Sequence, residues 1–82
     1  MKTKWENLLN DLWVLSVDDK YFGAVSVNTL TNKFILLDLR NHPDCKLMSV
    51  VEYTFVEDAK MALEEHFEVY FREMFKLRKE VR

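Results

Sequence analysis

The most reactive side chains of the 82-residue chain fall together at His42-Pro43-Asp44-Cys45. His42 and Cys45 stand three residues apart across a proline turn, close enough to meet. A thiolate nucleophile needs an adjacent base and surroundings that lower its pKa. No second base, oxyanion-hole glycine or separate acid accompanies this pair in the sequence. Three potential ligands without a second cluster make an equally poor metal site. The segment reads as a polar turn with an incidental cysteine, so catalytic residues, metal ligands and cofactors are not expected. His66 falls near the Ala59 and Tyr70 line of a helical pattern, as a boundary histidine beside Tyr70. Asp38 interrupts an apolar run, where a carboxylate must be exposed or paired. Arg40 and Lys33 are its available partners.

Charge offers a stronger signal. Residues 52–71 hold six acids against Lys60, a net of −5, and residues 72–82 hold five bases against Glu73 and Glu80, a net of +3. The total of −2 conceals this division. Glu57, Asp58, Glu64, Glu65 and Glu68 form the densest group, and the helical period puts most of them away from the apolar stripe. Such an array is either a solvated helix face or a docking surface for a basic partner, such as the groove of a nucleic-acid enzyme. The one distinctly basic stretch is this short C-terminal segment, so direct nucleic-acid binding is not expected.

These side chains must be positioned by local elements. Thr3-Lys4-Trp5-Glu6 fits a helix capping box. Trp5, Leu8, Leu9, Leu12 and Trp13 follow at helical spacing, which predicts a helix over residues 4–13. Residues 14–17 could continue it or begin a strand, and Asp18-Asp19-Lys20 marks a turn. Residues 21–28 and 33–39 read as strands joined by a hairpin connection at 29–32. A polar loop spans 40–46, and a third strand is expected over 47–55, with Val51, Tyr53 and Phe55 on one face. From about residue 57 the period becomes helical, with Ala59, Leu63, Phe67, Tyr70, Met74, Leu77 and Val81 in line. Acids lead this helix and bases trail it, in keeping with its dipole. Glu68 and Arg72 stand at i, i+4. The expected fold is α+β: a three-stranded antiparallel sheet flanked by an N-terminal helix and a long C-terminal helix, in the order α-β-β-β-α.

The long helix outruns its domain. A 24-residue helix spans ~36 Å, whereas a six-residue strand reaches ~20 Å. Phe67, Phe71 and Phe75 drift away from the Ala59–Leu63–Tyr70 line, so the apolar arc is wider than one sheet uses. Either the N-terminal helix covers this surplus or the helix breaks near residue 72. Otherwise Phe71, Met74 and Phe75 form an interface with a partner or with a second copy of the chain.

Bulk properties set the outer bounds. The chain is 49% hydrophobic and 32% charged, with one glycine, one proline and one cysteine. This composition describes a single folded domain over residues 1–82 and excludes a disordered chain or a disulfide scaffold. The longest uncharged run, residues 22–32, is too short and too polar to span a membrane. The N-terminus lacks a signal-peptide core. A cytoplasmic protein is the expectation.

Two resemblances follow. The α-β-β-β-α order resembles double-stranded-RNA-binding domains across most of the chain. That family opens its second helix with a lysine-rich motif, whereas this chain has Glu57-Asp58-Ala59-Lys60-Met61-Ala62. Its histidine-containing loop corresponds here to Thr29-Leu30-Thr31-Asn32. RNA binding by that mode is therefore not expected. The chain is also similar in size, plan and acidic helix faces to the small inhibitors encoded by phages and mobile elements, including anti-CRISPR proteins. Val50-Val51-Glu52-Tyr53-Thr54-Phe55, running straight into Glu57-Asp58-Ala59, carries that resemblance best. It implies a CRISPR effector or another host nucleic-acid enzyme as partner, blocked by occupation rather than chemistry.

The resulting expectation is a non-enzymatic, protein-binding inhibitor acting through Glu57, Asp58, Glu64, Glu65 and Glu68. The alternative is a homodimeric structural or regulatory protein that pairs through Phe71, Met74 and Phe75.

Overall fold

The structure, a computed structural model, describes residues 2–9, 11–41, 44–48 and 50–80, with side chains up to Arg72. Its elements are β1 (Thr3–Leu8), β2 (Leu12–Val17), β3 (Lys20–Asn28), β4 (Lys33–Asp38), β5 (Lys46–Leu47) and α1 (Val56–Glu80). The strands form one antiparallel meander in sequential order, and α1 packs against β3 and β4. The order is thus five strands followed by one helix. The α-β-β-β-α plan is wrong; the likeness to double-stranded-RNA-binding domains drawn from it falls with it, and the likeness to small phage-encoded inhibitors loses its plan and keeps only size and acidic helix face.

The N-terminal helix predicted over residues 4–13 is a β-hairpin, with Trp5 opposite Leu15 and Asn7 opposite Trp13. Two patterns compete in this stretch. The helical period is real, but Asn7, Asn10 and Asp11 are poor helix formers. An isolated ten-residue helix is also marginal. Strand pairing gives β2, with its Val14, Leu15 and Val17, a neighbour on both edges. It also turns Trp5 and Trp13 toward the core that α1 completes. Glu6, the far end of the supposed Thr3–Glu6 capping box, lies two residues from Lys4 on one strand face and forms an ion pair with it at 3.4 Å.

Two turns lie where the sequence places them. Asp18 and Asp19 have φ of 49° and 66°. A two-residue hairpin turn of right-handed strands needs positive φ at both positions, and aspartate tolerates it. Residues 29–32 join β3 to β4. There Asn28 Oδ1 accepts from the Leu30 amide, and Asn32 adopts φ 58°.

The strand predicted over 47–55 is mostly absent. β5 pairs Leu47 with Leu37, after which regular pairing stops. The Met48 amide donates to Leu36 O (2.8 Å), and an isolated bridge joins Tyr53 to Phe34. Six steps of chain from Leu47 to Tyr53 accompany three steps of β4, so the segment bows away from the sheet. Glu52 closes the bow by accepting from Thr31 Oγ1 (2.7 Å) and Asn28 Nδ2 (3.2 Å).

The core lies between one sheet face and the first turns of α1. Leu15, Val25, Leu36, Ala59 and Leu63 are essentially sealed from solvent. Each fully buried aliphatic side chain of this size contributes roughly 1.5–3 kcal/mol. Gly23, the lone glycine, lets α1 approach. A Cβ there would stand 2.8 Å from Leu63 Cδ1 and 2.9 Å from Leu37 O. Next to it β3 carries an irregularity, with Leu15 opposite Gly23 and Ser16 opposite Tyr21. The extra residue, Phe22, turns toward α1 and meets the rings of Phe67 and Tyr70 at 5.2 and 5.8 Å.

The helix runs unbroken to Glu80, at 25 residues about 37 Å. The molecule accordingly measures 48 Å along one axis and 24 and 23 Å across. No N-terminal helix exists to cover Phe71. Phe71 is half-buried against its own neighbours, Phe67 at 4.5 Å and Tyr70 at 5.5 Å.

Candidate protein-docking face

The acidic positions owe their common direction to the packing of α1. Ala59 and Leu63 point at the sheet, with Phe67 and Tyr70 continuing the line. At 100° per residue, Glu57, Asp58, Glu64, Glu65 and Glu68 then fall within an arc of about 120° on the opposite side. All five are exposed. None forms an ion pair with another described residue, and the i, i+4 partners Glu68 and Arg72 do not close to 4 Å. Met61, Glu64, Glu65 and Glu68 line a shallow depression in this face. Met61 is 62% exposed and Val69 50%, so the carboxylates surround apolar surface. Glu57 and Asp58 also sit in the first turn, where the helix dipole favours negative charge.

The one cation among residues 52–71, Lys60, does not neutralise this face. Its Nζ lies 5.4 Å from the Trp5 ring centroid, on the β1 side of the helix. That cation–π contact was not legible in the sequence, because it joins distant parts of the chain through a hairpin read as a helix. Glu52 belongs elsewhere too, bonded to the β3–β4 loop.

The other sequence candidates scatter. Asp38 pairs with Arg40, one of its two expected partners. Arg40 Nε donates to Oδ1 at 2.9 Å and a terminal guanidinium nitrogen to Oδ2 at 2.6 Å. The same guanidinium stacks 4.7 Å from the Tyr70 ring and 5.5 Å from Phe22, which ties the end of β4 to the middle of α1. Hydrogen bonds from the Arg40 side chain hold the Asp38 carboxyl below the usual carboxylate range, against the effect of burial. The Arg40 guanidinium is pushed up in return, again mainly through Asp38. Cys45 is a free, exposed thiol; His42 and Pro43 lie outside the described residues. His66 is exposed on α1. Of the apolar interface candidates, Phe71 packs within its own chain, and the side chains of Met74 and Phe75 lie outside the described residues.

Among the described residues no group of three or more His, Cys, Asp or Glu side chains is arranged to hold a metal ion. No described helix is long and apolar enough to cross a membrane. Comparison with family models, curated proteins and solved structures gives no match.

Proposed function

We infer that the chain is a non-enzymatic binding protein, and that the outer face of α1 docks on a positively charged surface of another protein. The observation that carries this reading is the arc of five exposed carboxylates, unpaired among the described residues and opposite the sheet. Glu57 to Glu68 covers about 16 Å of helix, a rod of negative charge standing clear of the core. Unpaired carboxylates on a rigid element speed encounter with a basic cleft and keep like-charged surfaces away. Met61 and Val69, exposed among them, supply apolar contact once the faces meet.

A groove that binds phosphates is the natural receptor for such a rod. The function is therefore that of an inhibitor occupying a nucleic-acid enzyme, such as a CRISPR effector, in the manner of small phage-encoded inhibitors. Small size and the acidic outer face of α1 support this likeness.

The test is capture from a bacterial lysate on the immobilised chain, in parallel with a Glu64→Lys/Glu65→Lys/Glu68→Lys variant. The expected result is retention of a basic nucleic-acid enzyme by the unaltered chain only, with release by salt and by competing duplex nucleic acid. Equal retention by the variant contradicts the reading.

A further inference from the structure

The sheet ends on one side in β1, and no described element lies along its outer edge. The Lys2 carbonyl accepts from the Asp18 amide at 2.9 Å, and the Lys2 amide donates to Asp18 Oδ1 at 2.9 Å. Lys2 thus turns its main-chain groups toward β2. By the two-residue period of an antiparallel ladder, Lys4, Glu6 and Leu8 do the same. Thr3, Trp5 and Asn7 then present their N–H and C=O groups outward. An unpaired edge of this kind is a template for another strand.

The side chains of β1 specify which strand. A second copy pairing antiparallel about a two-fold axis must oppose Thr3, Trp5 and Asn7 to one another, because only these carry outward groups. Three registers bring at least two of these residues into pairing. One centres on Lys4 and opposes Lys4 to itself. Another centres on Glu6 and opposes Glu6 to itself. Like charges directly opposite are destabilising. The third centres on Trp5, pairs Thr3 with Asn7, and sets Lys4 of each copy against Glu6 of the other. It also makes the most main-chain hydrogen bonds, about six. The Lys4–Glu6 ion pair within each strand shows that both side chains already share one face.

We propose that β1 is a self-complementary edge through which two copies of this chain join their sheets into one, centred on Trp5 and fixed by reciprocal Lys4–Glu6 pairs. Space allows it. α1 rests on β3 and β4, so β1 stands about 10 Å from the nearest strand beneath it. The two helices are then roughly 24 Å apart, twice the 10–12 Å diameter of a helix. The isologous symmetry closes the assembly at two copies. Both acidic faces remain free, so the dimer does not depend on the docking function proposed above.

The test is sedimentation of the full chain from 1 to 100 µM, with circular dichroism confirming that each variant is folded. The unaltered chain is expected to dimerise. Lys4→Glu and Glu6→Lys each set like charges opposite and raise the dissociation constant about fivefold or more. Mixing these two variants restores a dimer that is mixed in composition, and the double swap Lys4→Glu/Glu6→Lys dimerises as the unaltered chain does. Asn7→Pro removes an outward amide at a position an edge strand tolerates, and yields a folded monomer. A chain monomeric throughout overturns the proposal, as does a monomer that takes up an extended peptide along β1 instead. A dimer indifferent to the Lys4 and Glu6 charges overturns it equally, since pairing through α1 behaves in that way.

Discussion

Adding a single methyl group at Gly23 tests the packing on which the whole fold rests. The new Cβ would lie 2.8 Å from Leu63 Cδ1 and 2.9 Å from Leu37 O. Ordinary carbon contacts lie at about 3.5–4.0 Å, so the overlap is about 1 Å. Neither neighbour yields easily. Leu63 is wholly buried in the cluster with Leu15, Val25 and Leu36, and Leu37 O belongs to the main chain of a paired strand. Overpacking of this kind costs about 1–3 kcal/mol. Replacing glycine in a strand recovers about 0.5–1 kcal/mol of backbone entropy. Gly23→Ala is therefore expected to destabilise the protein by about 1 kcal/mol, and by about 2.5 kcal/mol at most. For a domain of this size, each kcal/mol lowers Tm by about 4–8 °C. Leu63→Ala alone should cost about 2–5 kcal/mol through the cavity it leaves. Combined, the two changes should cost less than their sum by at least about 0.5 kcal/mol, because the methyl added on β3 enters the vacated space. Urea unfolding followed by circular dichroism and tryptophan fluorescence measures all three variants. An unchanged or more stable Gly23→Ala protein, or strict additivity, refutes the assigned contact of α1 with β3.

Three other outcomes are expected. Asp38 titrates below its unfolded value because Arg40 stabilises the carboxylate, so the pair's contribution is complete above about pH 4 and lost as pH falls through the folded pKa. Arg40→Leu should flatten the acid limb of stability against pH, measured by thermal melts from pH 2 to 7. Glu52→Ala removes the acceptor for Thr31 and Asn28. It should cost up to about 1 kcal/mol and speed amide hydrogen exchange in residues 29–33, with little change elsewhere. Cys45, an exposed thiol, should react with an aromatic disulfide reagent equally fast in the folded and urea-unfolded chain; a much faster reaction when folded would argue for an activated nucleophile.

The two middle strands and the long helix are legible in the sequence, and the first two strands are not. The strands around residues 21–28 and 33–39 follow from β-branched and aromatic runs between strong turn residues. The long helix follows from its period and its leading acids. Over residues 4–13 the same five apolar side chains satisfy a helical period and also occupy a three-residue-loop hairpin. Only the neighbouring β2 edge, a tertiary partner, decides between them. The interrupted ladder after β5 escaped for a related reason. Alternation in residues 47–55 is genuine, but Glu52 is drawn to the β3–β4 loop by partners distant in sequence. Phe67, where the apolar arc of α1 begins to widen, has a partner that no helical wheel contains, namely Phe22, turned inward by an irregularity in β3. The acidic face needed only that the helix exist and that Ala59 and Leu63 face inward, which is why its direction survived the correction of the fold.

If α1 binds through its outer carboxylates, its affinity for a captured basic enzyme falls with salt, and the variant lacking those charges escapes that fall. Dissociation constants measured from 50 to 400 mM salt should rise steeply for the unaltered chain, since exposed charges are screened over about 10 Å at 0.1 M. The Glu64→Lys/Glu65→Lys/Glu68→Lys variant, with its buried face untouched, should bind at least tenfold more weakly at low salt, since losing about 1.4 kcal/mol suffices, and lose most of that slope. Identical slopes and affinities for the two proteins would show that the outer carboxylates of α1 do not carry the binding.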